Sequence, residues 1–108
     1  MPDRTKSRGD TGLSREIQRF SMQALELAKA VVDGSATEAD RQEARELAEQ
    51  LPLLAAKSRE LSEAYRAGAA KTLADARLDL AFVAADGKLP SSTRIGWYIK
   101  EKGEGQGG

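Results

Sequence analysis

The apolar residues Leu13, Ile17, Phe20, Ala24, Leu27 and Val31 recur in steps of four, three, four, three and four. That spacing draws one narrow stripe along an α-helix and does not fit the two-residue period of a strand. Leu25, Ala28 and Val32 widen the stripe on one side. Ser14 suits the N-cap, and Glu16 sits in the first turn, where it favours the helix dipole. Asp33-Gly34 closes the element, with Gly34 fitted to the left-handed position beyond the last turn. A helix is therefore expected over about 14–33, and its stripe must be buried against further helices.

The remaining sequence supplies them. Ser35-Ala36 is a short link, and Thr37 followed three residues later by Asp40 resembles a capping box. A second helix over about 38–51 would bury Ala44, Leu47, Ala48 and Leu51 and run antiparallel to the first. Pro52 removes a backbone donor and clashes with the preceding turn, so a break or kink is expected near Leu51-Pro52. Periodicity resumes with Leu54, Leu61, Tyr65, Ala69, Leu73, Ala76, Leu80 and Val83, which predicts a long third helix over about 53–85. Between Leu61 and Leu73 the steps become four, four, four, a phase slip that would rotate the seam. Gly68 lies inside that slip among Ala67, Ala69 and Ala70, a run of small residues that predicts close approach by another helix.

Two segments fall outside this pattern. Residues 1–12 (MPDRTKSRGDTG) are polar and read as a flexible arm; 103–108 (GEGQGG) read as a disordered tail. Residues 91–102 (SSTRIGWYIKEK) admit two readings. Ile95, Trp97 and Ile99 alternate as in a strand, while Ser91 or Ser92 would equally cap a short helix ending at Gly103. The expected fold is thus all-α, a helical hairpin or three-helix bundle forming one domain over 13–102.

Chemistry is bounded by what the chain lacks. With neither histidine nor cysteine, it has no thiolate, no Ser-His-Asp or Cys-His nucleophile system, and none of the usual zinc, copper or non-haem iron ligands. No catalytic residue, metal or cofactor is assigned. Glu38, Glu43, Glu46, Glu49, Glu60 and Glu63 often have a basic residue three or four positions away, as in Glu38-Arg41 and Glu63-Arg66, and read as a solvated face. Lys and Arg number 17, as do Asp and Glu, so no net field draws in nucleic acid or anionic lipid. Charge is uneven along the chain: five basic and three acidic residues over 1–20, then three basic and seven acidic over 21–56. No segment is apolar over the length of a bilayer span, and residues 1–14 lack the apolar run of a signal peptide, so a cytoplasmic location is expected.

The richest patch for recognition is Arg94, Ile95, Trp97, Tyr98, Ile99 and Lys100. Aromatics interleaved with cations anchor protein interfaces and also stack on bases. The expectation is a non-catalytic interaction module that binds another protein through this patch. A nucleic-acid accessory protein using the basic arm with Arg94, Lys100 and Lys102 is the alternative. A helix-turn-helix around Pro52 fits poorly, because Leu53-Leu54-Ala55-Ala56 is too apolar for a major groove. Helix packing, including a homodimer seam, is assigned to Ile17, Phe20, Leu27, Val31, Leu61, Tyr65, Leu73 and Leu80.

Gly107-Gly108 resembles the terminal diglycine of ubiquitin-like modifiers and sulfur carriers, and Tyr98-Ile99-Lys100 before a Gly/Gln-rich end echoes the prokaryotic ubiquitin-like modifier. The helical body departs from the β-grasp fold of the former. The last residue departs from the Gln or Glu end of the latter.

Overall fold

The computed structural model describes the backbone of residues 2–107 and the side chains of residues 12–103. Four helices follow one another: α1 (Pro2–Asp33), α2 (Glu38–Ser58), α3 (Glu63–Ala84) and α4 (Thr93–Gly107). The protein is all-helical, with no strand among the described residues. Helix α3 packs along both α1 and α2, while α4 lies across α1 and α3 with far less contact.

The stripe on α1 does what its spacing demands. Ile17, Phe20, Ala24, Leu27 and Ala28 are buried and meet Ala44, Leu47 and Leu54 of α2 and Ala69, Leu73, Ala76, Leu80 and Val83 of α3. Val31 packs half-buried at the edge. The end of α1 is a Schellman turn: Gly34 has φ +78°, its N–H donates to Val31 O, and Ser35 N–H donates to Ala30 O at 2.9 Å. Helix α2 opens with the complete capping box, Thr37 Oγ1 accepting from Asp40 N–H while the Asp40 carboxylate accepts from Thr37 N–H.

The chain breaks elsewhere than expected. Helix α2 runs through Pro52 to Ser58, and there is no long third helix over 53–85. Pro52 faces solvent, and the turn beyond it buries Leu54 and Ser58. Their burial offsets the roughly 3 kcal/mol that an interior proline costs. The break comes at residues 59–62 instead. Arg59, Glu60 and Leu61 donate N–H to Ala56, Lys57 and Ser58, the i→i+3 bonds of a tightening turn. The Arg66 guanidinium donates twice to the carbonyl oxygen of Leu61. Ser62 then takes the N-cap position of α3, with Glu63 in the first turn.

The phase slip between Leu61 and Leu73 therefore marks a helix boundary rather than a rotating seam. Leu61 is 1% exposed in the connection, whereas Tyr65, four residues on, is 43% exposed. Among the described residues Gly68 meets nothing beyond its own helix: no such heavy atom lies within 4 Å of where its Cβ would stand, so the close helix approach expected there is not seen among them.

Helix α3 closes on a second Schellman turn, with Gly87 N–H donating to Phe82 O at 2.9 Å and Asp86 N–H to Val83 O. Asp86, not the glycine, takes the first left-handed position, at φ +56°. At the ends, the backbone is helical from Pro2 and through Gly107. Pro2 occupies the start of a helix, where its missing N–H costs nothing. Met1 and Gly108, and with Gly108 half of the terminal diglycine, lie outside the described residues. Residues 91–102 resolve into helix from Thr93 onward.

Candidate functional site

The position of α4 is set by one buried carboxylate. Asp79 stands on the core-facing side of α3, three residues after Ala76 and four before Val83, with no exposed surface. Its Oδ1 accepts from Ser92 Oγ at 2.6 Å and from Ser92 N–H at 3.3 Å. Its Oδ2 takes Arg94 Nε at 2.9 Å and Nη2 at 2.7 Å. Arg94 Nη2 donates also to the carbonyl oxygen of Ser21 on α1. A negative group beside the first turn of α4 also complements its dipole. Ile95, fully buried, follows immediately and adds the apolar anchor.

Further along, Tyr98 Oη donates to the Asp33 carboxylate at 2.9 Å, and Lys102 pairs with the same carboxylate. The hydrogen bond from Lys102, and then that from Tyr98, holds the Asp33 carboxyl below its usual range. The same bond raises Lys102, and Asp33 raises the Tyr98 phenol. Lys29 and Lys102 both lie over the Tyr98 ring, 5.3 and 5.5 Å from its centre.

Facing inward, α4 thus presents Ile95, Arg94, Tyr98 and Lys102. Trp97 lies on the opposite side: two residues from Ile95 in a helix, it stands about 160° around the axis. It is 60% exposed, with Lys100 Nζ 5.3 Å from its ring centre. Thr93, Gly96, Trp97 and Lys100 border a shallow open hollow of about 240 Å³. Ile99 is exposed at the flank.

The patch expected to bind a partner is therefore divided. Arg94, Ile95 and Tyr98 are engaged within the chain; Trp97, Ile99 and Lys100 are presented outward. Of the residues assigned to helix packing, Ile17, Phe20, Leu27, Leu61, Leu73 and Leu80 are buried in the core of a single chain. Val31 is half-buried, and Tyr65 is exposed.

Asp79 was not singled out in the sequence, while Ser92, Asp33 and Lys102 were read only as a helix cap, a helix end and a cation for nucleic acid. Asp79 did leave a signal, a charged residue at the core phase of an otherwise apolar helix face. Asp33 left none, since it stands 65 residues from Tyr98.

Other concavities are open to solvent. One of about 480 Å³ runs between α2 and α3 past Ala48, Pro52, Ala55, Ala70, Ala74 and Arg77. Among the described residues no three carboxylates cluster closely enough to hold a metal ion. None of the helices is long and apolar enough to cross a membrane. The glutamate face is paired as its spacing suggests at one point: Glu38 accepts from Arg41 and from Arg45, which lowers its carboxyl.

The chain matches no protein-family model, no curated protein and no solved structure.

Proposed function

We propose that this protein is a non-catalytic helical interaction module that docks another protein on the outer face of α4. The observation that carries the reading is Trp97, the only tryptophan of the chain, exposed on a helix whose opposite side is clamped. Covering the exposed part of that ring is worth about 2–4 kcal/mol. Pre-ordering by Ile95 and the Asp79 cluster spares the partner much of the entropic cost of fixing the helix. Thr93, Gly96 and Ile99 supply low relief around the ring, and Lys100 favours a partner cleft with an acidic rim.

A nucleic-acid role has less support. Of the three cations it would use beyond the basic arm, Arg94 and Lys102 are paired within the chain to Asp79 and Asp33.

The test is an affinity pull-down from cell extract, with and without nuclease, for the unsubstituted chain and for Trp97→Ala. A stoichiometric protein that survives nuclease and is lost with Trp97→Ala is expected. Recovery of nucleic acid alone, with binding that falls steeply as salt rises, would replace this reading with the accessory-protein one. A homodimer is part of the same proposal, and a mass by light scattering that stays monomeric across a wide concentration range would remove it.

A further inference from the structure

We infer that α4 is a releasable latch: it undocks from α1 and α3 as a unit while the α1–α3 core stays folded, and the Asp79–Arg94 pair is its catch.

The apolar core does not depend on α4. Among the described residues, Ile95 is the single buried hydrophobic that α4 contributes; every other one comes from α1, α2, α3 or Leu61. Helices α1, α2 and α3 pack on one another, and among the described residues α4 makes no contact with α2. Undocking α4 therefore removes one buried side chain from a core that is otherwise complete.

Polar contacts make up most of the docking, and these nearly balance. Seating α4 strips water from the Asp79 carboxylate and part of the Arg94 guanidinium, and the attraction between them repays a cost of similar size. The Asp33 contacts at the other end are half-exposed and screened, hence weak. One buried isoleucine against these costs leaves a small net docking free energy.

A connection suited to a hinge joins α3 to α4. It holds Asp86 and Gly87 in the left-handed region, and Lys88, Leu89 and Pro90 all face solvent. Asp86, at the α3 end of the connection, holds one largely exposed ion pair, with Arg41 of α2.

The chain has no cysteine, so one introduced thiol reports one position. Ser21→Cys is close in shape, and the Ser21 hydroxyl has no bond to lose. Ala44→Cys places the control thiol in α2, fully buried and away from α4. Labelling by a soluble disulfide reagent should modify the Ser21→Cys thiol at least about tenfold faster than the Ala44→Cys thiol. Adding Arg94→Ala leaves Asp79 without its countercharge only while α4 is seated. It should speed labelling at position 21 a further tenfold or so, the size expected for one lost charge-assisted hydrogen bond, and leave position 21 the faster of the two.

Equal rates at the two positions would overturn the inference, since opening would then require global unfolding. So would an Arg94→Ala change that leaves labelling at position 21 no faster. Amide exchange on the unsubstituted chain provides an independent check that depends on no variant. Amides of residues 95–100 should exchange by an opening that leaves those of 73–83 protected, and equal protection of the two stretches would sink the latch.

Discussion

Arg94 reaches back from the second residue of α4 to set its Nη2 2.7 Å from Oδ2 of Asp79, a carboxylate with no exposed surface fifteen residues earlier in the chain. The two residues face each other only because α3 and α4 are folded back on one another by the turn at Asp86-Gly87. Their pairing gives α4 one register on the bundle, since a shift by one residue would present Thr93 or Ile95 to the buried carboxylate.

Removing the cation should cost more than removing both charges. Arg94→Ala is expected to lower unfolding stability by about 1–3 kcal/mol, because the seated Asp79 loses its partner. Asp79→Leu combined with Arg94→Met should cost less than either single change. Urea unfolding of the three variants against the parent chain measures this directly.

The surface end of α4 should carry a pH signature. Asp33 is held below its usual 3.8 by Lys102 first and Tyr98 second, so its bonds add stability present above that value and lost as pH falls through the lower folded one. Lys102 and Tyr98 are raised from 10.5 and 10.0 by Asp33, so the same contacts persist below pH 10 and are lost as pH rises through the raised values. In a Tyr65→Phe background, phenolate absorbance should titrate above 10.0, and Asp33→Asn should bring the midpoint down towards 10.0.

Pro52→Ala should stabilise the protein. The proline sits inside α2 with its side chain in solvent, so the substitution restores a helix donor and relieves the clash with the preceding turn without opening a cavity. An increase of about 1–3 kcal/mol is expected, read as a higher thermal midpoint. A fall would mean that the proline ring makes a packing contribution along the α2–α3 groove.

Leu61 and Tyr65 share a sequence period but not an environment. Leu61→Ala should cost about 2–5 kcal/mol, as for a buried leucine, and Tyr65→Ala should stay within about 0.5 kcal/mol. Comparable losses at both positions would place Tyr65 against a surface outside the single chain.

Local chemistry carried much of the architecture. The stripe from Leu13 to Val31, the Thr37–Asp40 box and Gly34 each act within about one or two helical turns, and each appears in the structure as its sequence implies. The all-helical class, the buried faces of Ile17, Phe20, Leu27, Leu73 and Leu80, and the short α1–α2 link were readable for that reason. What depended on contacts between distant segments was not. Whether Pro52 ends a helix is decided by whether the turn beyond it can bury Leu54. Whether Leu61 continues a helix or turns into the core is decided by the space that α1 and α3 leave for it. Residues 91–102 carried both a strand pattern and a helix cap, and the seat offered by Asp79, Ser21 and Asp33 accompanies the helix. The same seat separates Arg94, Ile95 and Tyr98, held inward, from Trp97, Ile99 and Lys100, turned out to solvent. Periodicity gives each side chain an angle around its own helix; only packing decides which angles face protein and which face water.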